Sequence, residues 1–242
     1  MTLLRFGDIL GACDYPGRGI LLGRSRDGGS SVCAYFITGR SPNSRNRVLV
    51  KTEDGIRTEA FDPSKVTDPS LIIYHPAREA RGYFIITNGD QTDTVRDFIS
   101  AGKSFKEALD TREYEPDGPN FTPRISGIID PDGSYKLSII KRAGEAPFCR
   151  RFYYDFSDPV PGYGHYISTY KCDGDPLPSF EGEPINVEIP ETADDLAVEI
   201  KNSLDAEKTV SIFVRYADLT GGGIKTRIIN KNKREGESDD GT

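Results

Sequence analysis

Short turn signals set between alternating apolar runs constrain this chain more than any other feature. Asp27-Gly28-Gly29, Glu53-Asp54-Gly55 and Asp130-Pro131-Asp132-Gly133 each separate two runs rich in Val, Ile, Tyr and Phe, a pattern that closes antiparallel hairpins. The pairs are Gly19–Arg24 with Ser31–Thr38, Val48–Thr52 with Ile56–Ala60, and Arg124–Ile129 with Ser134–Lys141. Further strands are expected at Leu71–Tyr74, Gly82–Thr87, Arg151–Phe156, His165–Tyr170, Ile185–Ile189, Val210–Tyr216 and Gly223–Asn230. Helical periodicity is confined to two stretches. One runs from about Asp93 through Thr111, with a break at Ala101-Gly102 and a Ser104/Glu107 capping box ahead of Phe105, Ala108 and Leu109. The other begins near Thr192 and offers Leu196, Val198, Ile200 and Leu204 to a core. Many antiparallel strands with few helices predict an α+β fold in which helices cover outer faces of packed sheets.

At 242 residues, with 12 Phe, 12 Tyr and 36% hydrophobic residues, the chain can bury a sizeable core, and one domain over residues 1–230 is expected. Residues 231–242 are polar and charged and read as a frayed tail. The net charge of −7 argues against a uniformly basic nucleic-acid surface. Leu71–Tyr74 and Val210–Val214 fall far short of the ~20 residues of a membrane span. The N-terminus lacks a basic-then-apolar signal pattern, so a cytoplasmic protein is expected. Cys13, Cys33, Cys149 and Cys172, with His75 and His165, have no metal-ligand spacing, and they read as reduced, buried or half-buried thiols. A parallel nucleotide-binding fold is excluded by the lack of a glycine-rich phosphate loop after a strand. Gly221-Gly222-Gly223 reads instead as a hairpin turn.

Three segments carry more chemistry than folding needs. Residues 38–47 place Arg40, Arg45 and Arg47 together with no acid between them, and Ser41, Asn43 and Ser44 add donors. Such a loop suits a phosphate, or pairs with acids elsewhere. Residues 85–93 end a strand in Asn88, Gly89, Asp90, Gln91, Thr92 and Asp93, a set that either caps a helix or displays amides and a carboxylate to a ligand. Residues 114–124 hold three prolines around Glu115, Asn120 and Arg124, a stiff loop that either positions those groups or only turns the chain. Tyr74-His75-Pro76 follows an expected strand, and Gly162–Tyr166 reads as a glycine-hinged lid or a plain loop. No Gly-x-Ser-x-Gly elbow occurs, which removes a serine hydrolase of that type.

Taken in order, S-P-N-S-R-N-R at 41–47, T-N-G-D-Q-T-D at 87–93 and Y-E-P-D-G-P-N-F-T-P-R-I at 114–125 resemble the archaeal-type inosine monophosphate (IMP) cyclohydrolase family. The resemblance spans most of the first 170 residues. It implies a four-layer α-β-β-α arrangement similar to the N-terminal nucleophile hydrolases. The implied reaction converts 5-formamidoimidazole-4-carboxamide ribotide into IMP and water in purine biosynthesis, with no metal or redox cofactor. Partners would be the small-molecule purine ribotide and, compatibly, further copies of the chain, with neither nucleic acid nor membrane.

The resemblance also distributes roles. Tyr74 is expected as hydrogen-bond donor and Glu115 as acid/base. Arg40, Arg45 and Arg47, with Ser41 and Asn43, would hold phosphate and nearby anionic groups. Asn88, Asp93, Asn120 and Arg124 would orient carboxamide, formyl group or ribose. Two alternatives remain open at this stage: a catalytically silent purine-nucleotide binder, and an amidohydrolase using Thr2 as an N-terminal nucleophile after loss of Met1.

Overall fold

A computed structural model describes residues 4–66, 72–144 and 147–232. In chain order its first half comprises α1 (Phe6–Gly11), β1 (Arg18–Arg24), β2 (Ser30–Thr38), α2 (Pro42–Arg45), β3 (Arg47–Thr52), β4 (Gly55–Ala60), β5 (Ala77–Ala80), β6 (Tyr83–Thr87), α3 (Gln91–Ser100) and α4 (Phe105–Asp110). There follow β7 (Arg124–Ile129), β8 (Tyr135–Arg142), β9 (Cys149–Phe156), β10 (Tyr163–Ser168), β11 (Ile185–Glu188), α5 (Ala193–Ser203), β12 (Thr209–Asp218) and β13 (Ile224–Asn230). The three turn signals close the β1–β2, β3–β4 and β7–β8 hairpins. Their chemistry is local. Asp27 Oδ1 accepts from Ser25 Oγ at 2.6 Å and from the Gly29 amide at 2.9 Å, and Gly133 takes φ 82°, where a Cβ would be strained.

Among the described residues the strands form two sheets, ordered β11-β10-β1-β2-β12-β13 and β3-β4-β5-β6-β7-β8-β9, with antiparallel pairing between neighbours. The fold is mixed α/β, mostly antiparallel sheet with few helices. Side chains sort into clusters by the two-residue alternation of the strands. Ile20, Leu22, Tyr35 and Ile37 from the first sheet meet Leu49, Ile86, Ile125 and Leu137 from the second in one core. The other face of the first sheet buries Leu21, Ala34 and Phe36 with Phe6 and Leu10 of α1 and Leu196 and Ile200 of α5. The other face of the second buries Ile85 and Ile128 with Val95 of α3 and Leu109 of α4.

Several expectations need correction. Residues 72–74 form no strand, and Leu71 lies outside the described residues. This segment is held by Thr58 instead of by a ladder. The helical stretch divides at Ala101-Gly102 as expected, into Gln91–Ser100 and Phe105–Asp110 with the Ser104/Glu107 capping box; only its start differs, at Gln91 and not Asp93. Val198 of α5 points to solvent at 52% exposure, while Leu196 and Ile200 face the core. Tyr163 to Tyr166 belong to β10 and not to a lid. Cys172 is exposed, while Cys33 is buried and Cys13 and Cys149 half-buried. Three elements had no strong local signal: α1 and α2 are too short to show a period, and β5, Ala-Arg-Glu-Ala, is a strand because β4 and β6 pair with it. The tail from residue 233 and Thr2 lie outside the described residues.

Candidate active site

The face of each sheet that meets the other ends in polar residues, and the alternation says which. On β1, Arg18 stands in phase with the core residues Ile20 and Leu22; on β2, Tyr35 lies between Cys33 and Ile37; on β3, Arg47 is in phase with Leu49. Thr58 on β4 is likewise in phase with Ile56. Its hydroxyl donates to the Ile72 carbonyl at 2.7 Å and receives the Tyr74 amide at 2.9 Å. That anchorage brings the Tyr74 hydroxyl to 2.8 Å from the hydroxyl of Tyr35. Behind Arg18, Gly17 takes φ 75°, and a Cβ there would lie 2.5 Å from Thr169 Oγ1, so this approach of β1 to the residue after β10 requires glycine.

The stiff loop supplies the opposing wall. The Glu115 amide donates to the Thr122 carbonyl at 3.0 Å, and the Asp117 carboxylate receives both the Thr122 amide, at 2.6 Å, and the Thr122 hydroxyl. An ionised carboxylate only accepts. Thr122 therefore spends its proton on Asp117, and Tyr170, 2.7 Å away, donates to Thr122. The lone pairs of Tyr170 are left toward Arg18, one of the charges it feels. Tyr15 stacks on Tyr170 at 5.8 Å.

Tyr15, Arg18, Arg47, Glu115, Thr122 and Tyr170 are among the residues that line a cavity of about 310 Å³. Arg18, Arg47 and Glu115 line its inner part; Arg40, Ser41, Asn43 and Asn120 line its mouth. Three of its polar atoms are withdrawn from solvent with no hydrogen-bond partner among the described residues: Arg18 Nε, Arg47 Nη1 and Asn43 Oδ1. Buried polar atoms are nearly always paired, so three orphans around one cavity mark a place for a polar ligand. Arg47 is 1% exposed, its Nε spent on the Ser44 carbonyl at 2.9 Å.

Burial is the largest influence on each ionisable group here. Burial pushes the Glu115 carboxyl above the ordinary carboxylate value, with Arg18 and Arg124 opposing. Burial and then the positive charge of Arg18 lower the Arg47 guanidinium. Burial also acts against the charge of Arg18, but Tyr74, Glu115, Tyr170 and Tyr35 outweigh it and hold Arg18 firmly protonated. The Tyr35 phenol is pushed well up, first by burial and then by Tyr74.

The chain matches the family model described as IMP cyclohydrolase-like protein over residues 15–222. The chain belongs to that family. An IMP cyclohydrolase of Methanopyrus kandleri is 31% identical over 189 residues, 69% of this chain and 89% of that protein. One of Halobacterium salinarum is 30% identical over 117 residues, 47% of this chain and 59% of that protein, and one of Methanococcus aeolicus is 27% identical over 165 residues, 65% and 75%.

Within this IMP cyclohydrolase-like chain the sequence-derived candidates divide. Arg40, Ser41, Asn43, Arg47, Glu115 and Asn120 line the cavity. Tyr74, 6% exposed, is not in the lining; it bonds Tyr35 and acts on Arg18 and Arg47, which are. Arg40 is tied to Asp173 at 2.7 Å and to the Gly174 carbonyl at 2.9 Å, and Asn120 Oδ1 accepts the Leu177 amide. Arg45, Asn88, Asp93 and Arg124 are not in the lining. The Asn88 side chain is spent on the Pro123 carbonyl, the Gln91 amide and the Ile125 amide. Asp93 pairs with Arg78 at 2.9 Å. Arg124 bonds Asp90 and Gln91, both at 2.7 Å, and reaches Glu115 only at 3.8 Å. Sequence reading missed Arg18, Tyr35, Thr122 and Tyr170. For Arg18 a signal existed, an arginine in phase with the apolar positions of β1. Tyr35 carried none, since a tyrosine in an apolar strand reads as core.

Proposed function

We propose that this protein is an IMP cyclohydrolase that closes 5-formamidoimidazole-4-carboxamide ribotide to IMP and water. The observation that carries the reading is the pair of unpartnered guanidinium nitrogens, Arg18 Nε and Arg47 Nη1, converging with Glu115 on one cavity. Ring closure joins the carboxamide nitrogen to the formyl carbon of the same molecule, so holding both in contact removes much of the barrier. Negative charge grows on the formyl oxygen as the bond forms. Arg18 and Arg47 face it as fixed cations in a water-poor site, and Tyr74 donates its proton to that oxygen. Glu115 as carboxylate takes one proton from the attacking amide; burial makes it a stronger base than an exposed glutamate. It then returns this proton to the new hydroxyl, which leaves as water. The formamide nitrogen gives up its proton to the Tyr74 oxygen, and both side chains are restored.

In this reading the deep position of Arg47 assigns it to the reacting oxygen, and the phosphate falls to Arg40, Ser41 and Asn43 at the mouth. The four-layer, N-terminal nucleophile hydrolase-like description is supported by the core between the sheets and the two helix-covered outer faces. A single domain over residues 1–230, a cytoplasmic setting and a ribotide as the sole small-molecule partner complete the proposal. Among the described residues no helix is long and apolar enough to cross a membrane, and no group of three His, Cys, Asp or Glu could hold a metal.

The test is ultraviolet detection of IMP formed from the ribotide, against an enzyme-free control for spontaneous closure. Saturable formation is expected. Ribotide binding with no acceleration would establish the silent binder instead.

A further inference from the structure

We propose that Tyr35 is a positioning residue that aims the hydroxyl proton of Tyr74 into the cavity. The inference rests on the assignment of Tyr74 as proton donor and adds how that proton is directed.

Tyr35 is 0% exposed in the middle of β2, flanked across the sheet by Ile20 of β1 and Phe213 of β12. Its ring is held by neighbours that have no polar role. Among the described residues its hydroxyl has one hydrogen-bond partner, the hydroxyl of Tyr74 at 2.8 Å. Distance alone leaves the direction of that bond open; the surroundings decide it. The other charged groups that act on the Tyr35 oxygen are Arg18 and Arg47, and a guanidinium offers only N–H donors. Were Tyr74 to donate to Tyr35, the Tyr35 proton would be left buried among cations with nothing to accept it, a loss of about 1–3 kcal/mol. Tyr35 therefore donates, and Tyr74 accepts.

The consequence falls on Tyr74. With one lone pair taken by the Tyr35 proton, its own proton must point elsewhere; Tyr74 acts on both Arg18 and Arg47, and the cavity that they line with Glu115 is where a ligand oxygen would receive it. Burial pushes the Tyr35 phenol far up, so the proton it donates stays in place across the working pH range. Neither Tyr74 nor Tyr35 is in the cavity lining, and Tyr35 is the more deeply buried of the two. Its part in the reaction is exerted through Tyr74.

Tyr35→Phe removes one oxygen and keeps the ring. Steady-state kinetics of Tyr35→Phe, Tyr74→Phe and the double variant, with IMP affinity by calorimetry, form the test. Tyr35→Phe is expected to lose ~10-fold in kcat with KM and IMP affinity within about twofold. Tyr74→Phe is expected to lose more, and the double variant no more than Tyr74→Phe alone. Full kcat in Tyr35→Phe beside an impaired Tyr74→Phe would overturn the role of Tyr35 and leave Tyr74 standing. Additive losses in the double variant, or a loss confined to KM and IMP affinity, would reduce Tyr35 to a structural residue. Full kcat in Tyr74→Phe would remove the donor assignment and this inference with it.

Discussion

The inter-sheet core carries polar groups at both ends of β1 and β10, and the two ends treat them differently. At the end away from the cavity, the Tyr135 hydroxyl meets His165 Nδ1 at 2.6 Å, and the imidazole stacks on Phe156 at 3.7 Å. Burial holds His165 down to about 4, against a hydrogen bond with Asn186 that raises it. The ring is therefore neutral at ordinary pH, and its Nδ1 accepts from Tyr135. Each group satisfies the other. At the cavity end, Arg18 Nε and Arg47 Nη1 have no hydrogen-bond partner among the described residues, and burial holds Glu115 above its ordinary pKa. A chain that closes one buried polar cluster and leaves the other open on the same pair of sheets is holding the second for something it does not itself supply.

The sharpest way to break that comparison is at Glu115. Glu115→Gln keeps shape and loses proton transfer, so kcat should fall at least ~1,000-fold while ribotide still binds. Retention of full kcat would remove Glu115 from the chemistry. In the wild type the carboxylate is the active form, so the acid limb of kcat/KM should lie above the pKa of an exposed glutamate, activity falling as pH drops through it. Next in size is Arg18→Met, which takes away an unpartnered buried cation. Turnover should fall ~100-fold with melting temperature within a few degrees of wild type, because the lost charge had a desolvation cost and few hydrogen bonds. A melting temperature that collapses with activity would make Arg18 a structural residue like those at the other end.

At the closed end the expected ranking reverses. Tyr135→Phe leaves His165 Nδ1 without its donor and should cost about 1–3 kcal/mol of stability by urea denaturation, with kcat within twofold. The pH dependence follows from the lowered His165 value. The folded state holds the neutral ring and the unfolded state protonates more readily, so this stabilisation is complete above about pH 6.5 and is lost as pH falls toward about 4. His165→Gln should flatten that part of the melting-temperature profile. A profile unchanged by the substitution would show that other groups set the acid limit.

Much of the sheet architecture was legible because turn chemistry and two-residue alternation are local: Asp27-Gly28-Gly29 closes its hairpin whatever the rest of the chain does. What was illegible depended on partners distant in sequence. Residues 72–74 look like a strand and are held by Thr58; Ala77–Ala80 does not look like one and pairs on both sides. The site shows the same division. Glu115, Asn120 and the arginine loop announce themselves by composition, whereas Tyr35 becomes functional only through a hydroxyl 39 residues away. Asn88, Asp93 and Arg124 were conspicuous for the opposite reason. Polar groups clustered at a strand end suggest a ligand, yet here Asp93 is taken up by Arg78, Arg124 by Asp90 and Asn88 by the Ile125 amide, around the start of α3.

That last group yields the smallest expected effect and the finest test of the comparison. Asp93 is half-exposed, bonded to Arg78 at 2.9 Å and 3.8 Å from His75, and Arg78 keeps a second carboxylate, Asp54, at 2.7 Å. Asp93→Asn therefore removes one of two anions from an arginine near the surface, an exchange of about 0–1 kcal/mol for an exposed pair. It touches nothing that lines the cavity. KM and kcat should both stay within about twofold of wild type. A KM rise of ~10-fold would instead mean that Asp93 meets the ribotide, that the strand end before α3 is an open cluster like the one holding Arg18 and Arg47, and that satisfaction within the chain is a poor guide to which polar groups this protein reserves for its ligand.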